Sequence, residues 1–189
     1  GGKASFDVFA YRAIGLAPKQ RAAVLAAITE MLDRHPGDEQ LLFSRAVLPE
    51  QSDQLPEALA ITEELLTISE KPNVIVLKAR ILDAMQREDD AIAYLTAIVT
   101  VPQPDRRLQL LLARMLFEEG DLEAAKVQYN NALNVSPNDG DVLFALALIA
   151  LEQGDDLQAQ EHLERMVRWN RRSGEAHYYL GGIAERRAD

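Results

Sequence analysis

The sequence contains no cysteine. That removes disulfide frameworks, thiolate metal sites and thiol nucleophiles together, and it leaves the compartment, cytoplasm or periplasm, open. Lys and Arg number 20 against 30 Asp and Glu, for a net charge of −10. The cationic excess that neutralises phosphates is missing, so no nucleic-acid partner is expected. No apolar run approaches the roughly 18 residues that cross a bilayer, and no direct membrane span is expected. Histidine is scarce too: His35, His162 and His177 stand at unrelated places without metal-ligand spacing. Gly181-Gly182 lies inside a predicted helix rather than after a strand, so it is not a phosphate loop; close helix packing is its expected reason. No nucleophile, base or metal cluster can be assembled. The reading is therefore noncatalytic, with no metal and no cofactor.

What the chain does have is a period. The stretch RRLQLLLARMLFEEGDLEAAKVQYNNALNVSPND begins at Arg106, runs 34 residues, and its pattern starts again at Gly140. Gly120-Asp121 recurs as Gly154-Asp155, Ala125 as Ala159 and Ala132 as Met166. One step back, Ala79 and Ala91 take the places of Ala113 and Ala125, and before them Ala46 and Ala58 do so in a unit one residue shorter. A unit of this size holds two short helices that cannot bury their apolar faces alone, whereas stacked neighbours can. The recurring alanines mark where the two helices cross closely. Gly-Asp marks the turn between them, glycine supplying the left-handed conformation and aspartate a helix cap. Ala22 to Arg34 predicts an amphipathic helix ended by Pro36-Gly37, and Pro56 opens a helix after the irregular QSDQLP joint.

The best unit, with Leu112-Ala113, Leu116, Gly120-Asp121, Ala125, Tyr129, Ala132 and Pro137, resembles the tetratricopeptide repeat family. Its signature tryptophan is absent from every unit, Lys78 stands where Leu is usual, and Arg171 replaces the terminal proline. The resemblance implies an all-α fold, a right-handed α-solenoid of antiparallel helix pairs. The expected organisation is an N-terminal degenerate repeat or cap over 1–38, repeats over 39–71, 72–105, 106–139 and 140–173, and the first helix of a further unit over 174–189. Gly1-Gly2 without a methionine, and a chain that stops within a unit, lead us to expect a longer bacterial array; the resemblance suggests an envelope lipoprotein as one setting.

The resemblance also implies that first helices line a concave groove through the second, fifth, ninth and twelfth residues of each unit. Carried over, the groove residues are Phe43, Val76, Arg80, Arg107, Leu110, Arg114, Phe117, Phe144, Leu148 and Tyr178. Val76 and Leu110 stand where a carboxylate clamp for chaperone tails would need lysine, which disfavours that activity. Phe43, Phe117, Phe144 and Tyr178 offer interface anchors or, alternatively, core. Arg80, Arg107 and Arg114 either receive acidic residues of a bound peptide or pair with nearby acids such as Asp83 and Glu118. Arg165, Arg168, Arg171 and Arg172 read as cations at a helix C-terminus, and Trp169, like Val135, as packing beneath the next unit. The expected function is a protein-protein interaction scaffold or adaptor binding a peptide or helix. The alternative is a structural or oligomerising spacer in a longer chain. Tyr179, Leu180 and Ile183 lie on a first helix without its partner, so self-association through that helix is also expected.

Overall fold

Ten helices are present among the described residues, which in the computed structural model are 17–48, 54–100, 104–169 and 173–188. They are α1 (Pro18–Arg34), α2 (Glu39–Val47), α3 (Leu55–Ile68), α4 (Pro72–Ala84), α5 (Glu88–Val99), α6 (Arg106–Glu119), α7 (Leu122–Val135), α8 (Gly140–Glu152), α9 (Asp156–Trp169) and α10 (Gly174–Ala188). No strand occurs among the described residues. The chain forms two compact units, Gly1–Thr100 and Val101–Asp189. In each, consecutive helices pack on one another in an all-α solenoid of helix pairs.

Small residues set the crossings. Ala46, Ala79, Ala91, Ala113, Ala125, Ala147 and Ala159 are wholly inaccessible and Ala58 nearly so, which lets the two backbones of each pair approach. Large aliphatic residues fill the space on either side: Leu42, Leu65, Val74 and Ile81 in the first unit, Leu112, Leu143, Leu146 and Leu163 in the second. Burying one such side chain is worth about 1.5–3 kcal/mol. Thr62 is buried among them because its hydroxyl donates to the Ala58 carbonyl at 2.7 Å.

Three turns share one backbone. Gly120 N–H donates to Phe117 O and Asp121 N–H to Leu116 O; Gly154 and Asp155 do the same to Leu151 and Ala150. The glycines have φ of 89° and 74°, in the left-handed region. Between α4 and α5 the same two bonds run from Gln86 to Asp83 and from Arg87 to Leu82. Gln86 occupies Gly120's place one period earlier and takes the left-handed conformation without being glycine, with φ of 57°. Asp121 and Asp155 cap their helices through Ala124 N–H and Gln158 N–H, as the sequence predicts, whereas Arg87 provides no cap.

Pro18 is the first residue of α1, where its missing N–H costs nothing, and Pro56 lies in the first turn of α3. The apolar segment before Gly15, the first three residues of the QSDQLP joint, Arg171 and Arg172 lie outside the described residues.

Candidate functional site

Helices α6, α8 and α10 each carry a stripe at spacing i, i+3, i+7, i+10, so its members share one helix face. In the second unit the apolar members Leu110, Phe117, Phe144 and Leu148 are half-buried, and Tyr178 is 78% exposed. Phe144 meets Tyr179 edge-on with ring centroids 5.5 Å apart, and Tyr179 meets Tyr178 in the same way at 5.5 Å. An aromatic chain thus runs from α8 across α10 and ends in solvent.

The first unit departs from the expected pattern. Phe43 is 3% exposed and belongs to a core cluster with Leu42, Ala46, Val47, Ala58 and Leu65. It is core, not an open anchor. Six of the nine residues of α2 are buried, so this short helix has too little open face to present a large ring. Val76 is half-buried, and Arg80 is exposed without an ion pair to any described residue.

The arginines of α6 are engaged by acids of their own. Arg107 donates to both carboxylate oxygens of Asp105, at 3.1 and 3.0 Å, while Asp105 also caps α6 through the Arg107 N–H. These bonds, the arginine's first, hold the Asp105 carboxyl below its ordinary range. Arg114 sits 3.7 Å from Glu118, a loose pair of two exposed groups. Of the two alternatives the sequence leaves open for these residues, both arginines take the local acid.

Lys78, at a usual leucine position, has its ammonium 3.0 Å from Glu63 and 4.8 Å from the Tyr94 ring centre. Its stem crosses apolar surface while the charge reaches a carboxylate and an aromatic face, so one cation ties α3 and α5 to α4. Burial, with Glu70 and Glu63 adding to it, pushes the Tyr94 phenol up to about 12.

Two further expectations are corrected. Trp169 and Val135 are each 69% exposed rather than packed beneath the next unit. They are the final residues of α9 and α7, past the last turns where Met166 and Ala132 do the packing. A Cβ at Gly181 would meet nothing within 4 Å, and one at Gly182 only the Arg186 guanidinium at 3.8 Å, so close packing does not account for this glycine pair. Of the α10 apolar residues, Ile183 is buried while Tyr179 and Leu180 are half-buried.

Sequence reasoning missed the aspartates that cap first helices. Asp38 accepts from Gln40 and Leu41 N–H, and Asp139 from Asp141 and Val142 N–H. Asp105 and Asp139 are 34 residues apart, directly before a helix, and that spacing was the available signal. Among the described residues no group of three or more His, Asp or Glu could hold a metal ion, and no helix is long and apolar enough to cross a membrane.

Two family models described as tetratricopeptide repeat match residues 76–139 and 116–181, which together cover more than half of the chain. A TPR repeat-containing protein of Pseudomonas aeruginosa is 32% identical over 112 residues, 59% of this chain and 19% of the relative. The chain thus spans about a fifth of that relative's length. Among solved structures, YrrB, described as a TPR protein with an unusual peptide-binding site, is similar at 16% identity and TM-score 0.65, covering 85% of this chain and 83% of its own. MamA from Desulfovibrio magneticus aligns at 16% identity and TM-score 0.67 over 89% and 95% of the two chains. The period, the paired helices, the left-handed turns and these matches lead to one conclusion: the chain belongs to the tetratricopeptide repeat family.

Proposed function

We propose that the protein is a noncatalytic adaptor whose first-helix stripes hold an extended peptide or a helix of a protein partner. The observation that carries this reading is the row Leu110, Phe117, Phe144, Leu148 and Tyr178, which keeps large apolar side chains partly in water along the successive first helices of one unit. Such residues act as interface anchors because ordering a ring costs little entropy and covering it releases much water. The peptide-binding site attributed to YrrB supports the same use of the fold. Repeat boundaries at 39, 72, 106, 140 and 174 are part of this proposal, since they define the stripes.

The test is partner capture from a bacterial lysate with the wild-type chain and with Phe117→Ala plus Phe144→Ala. Loss of the captured set at unchanged helicity is the expected result. Capture that persists unchanged would move the binding surface to the second helices.

A further inference from the structure

We infer that the α8–α10 face selects a cationic peptide, whose lysine or arginine residues meet the rings of Tyr178 and Phe144 and the carboxylates of Asp141, Glu175 and Glu185. The inference rests on the peptide-binding reading above and names the chemistry of its ligand.

The unpaired charges of these stripes are of one sign. Asp141 stands one turn before Phe144, Glu175 one turn before Tyr178, and Glu185 two turns after Tyr178, on the same stripes as the rings. All three are exposed, and their side chains make no ion pair or hydrogen bond with any described residue. Helix α8 contains no lysine or arginine. The cations of α10 are engaged elsewhere, Arg186 by both oxygens of Asp156 at 2.6 and 3.1 Å and Arg187 by Gln160 at 2.6 Å, both toward α9. On α6, by contrast, Arg107 and Arg114 have acids of their own.

Helix structure alone explains only part of this. Asp141 and Glu175 sit in first turns, where a carboxylate favours the helix dipole. Glu185 is near the C-terminal end of α10, where a negative charge opposes the dipole. A cation from outside would answer each, and a peptide needs more than one of them, because Glu175 and Glu185 lie about 15 Å apart along α10. The natural seat of one is the face of a tyrosine ring, which carries negative potential, and Tyr178 leaves that face in water. Gly181, one turn further on, puts no side chain beside the ring and leaves open space there, so a ligand backbone can approach α10 at that point, whereas at Gly182 the Arg186 guanidinium lies 3.8 Å away. Half-buried Leu148 and Leu151 extend the surface for apolar neighbours of the cation. An acidic peptide would meet three unscreened carboxylates.

A random dodecapeptide phage library selected on the immobilised full chain tests this, followed by calorimetric titration of the enriched peptides. Lysine or arginine beside apolar residues should dominate the enriched set. Binding should fall about tenfold in Asp141→Asn/Glu175→Gln/Glu185→Gln and more in Tyr178→Ala. It should hold within about twofold in the control Glu64→Gln/Glu119→Gln/Glu161→Gln, which removes equal charge elsewhere. Equal loss in the control would reduce the effect to overall charge and overturn the inference. Neutral or acidic peptides that still need Tyr178 and Phe144 would overturn it while leaving the peptide-binding reading standing. Enriched peptides indifferent to both rings, or no enrichment, would overturn both.

Discussion

Gln86→Gly should stabilise the protein, although the substitution deletes a side chain and adds freedom to the unfolded chain. Gln86 holds φ at 57°, where an L-residue's Cβ crowds the following carbonyl. That conformation costs about 1–2 kcal/mol for a residue with a side chain. Glycine avoids it, but loses roughly 0.5–1 kcal/mol more backbone entropy on folding. The side chain is exposed and makes no hydrogen bond with any described residue, so nothing else is forfeited. The net gain lies between about 0 and 1.5 kcal/mol, with a middle value of about 0.7 kcal/mol. The mirror substitution, Gly120→Gln, should cost a similar amount: the hydrogen-bonded turn is the same, and no atom lies within 4 Å of the added Cβ to impose a steric charge. The two changes report on different units, so amide hydrogen exchange, which resolves α4–α5 from α6–α7, is the appropriate assay alongside urea denaturation. If Gln86→Gly left the α4–α5 amides unchanged or less protected while Gly120→Gln destabilised its own turn, the strain argument would fail and Gln86 would have to contribute an interaction of its own.

Gly181→Ala should stabilise α10 by about 0.5–1 kcal/mol, because alanine is the better helix former and its methyl meets open space; a lowered melting temperature would mean that this face is closely covered in solution. His162 should make stability depend on mildly acidic pH. Burial first, then Arg165 and Lys126, hold its pKa below the ordinary 6.5, so the unfolded chain binds the proton more readily than the folded one. Stability contributed by the neutral imidazole is full above 6.5 and declines as the pH falls from there toward the folded pKa. The urea midpoint of wild type should therefore fall relative to that of His162→Gln as the pH drops below 6.5, so that the two converge or cross on acidification. Parallel midpoints from pH 7.5 to 5 would refute the assignment.

The helix pairs were legible because their determinants are residue identities repeated at a fixed interval. Alanine at a crossing and glycine at a left-handed turn answer steric demands that few other residues meet, so the same letter returns. Exposure was less legible. Phe43 and Phe144 hold the same place in their repeats, and sequence cannot tell them apart, because Phe43's burial depends on a nine-residue helix whose two sides are both covered. Trp169 failed for a related reason: periodicity assigns a face but not the point at which a helix outruns its neighbours. At Lys78 a departure from the family pattern proved to be a different solution, in which a cation between Glu63 and Tyr94 does the work of an aliphatic side chain.

Ion pairs that join successive first helices are not visible in residue identity alone. In the first unit Glu39, the first residue of α2, binds Lys71, which directly precedes α4, at 2.6 Å. In the second, Arg106, the first residue of α6, binds Asp139, which directly precedes α8. The places correspond, and the signs are exchanged. No letter is shared between the two pairs, so comparison at a spacing of 34 finds nothing, yet each satisfies the same condition that the two charges attract across neighbouring helices. Asp139 also caps α8, so in that unit one carboxylate links the start of a helix to its neighbour. Lys71 cannot cap, and Pro72 takes over the opening of α4 by needing no partner for its nitrogen. What recurs at this joint is a relation between two positions, and it becomes visible only when the positions are read as a pair.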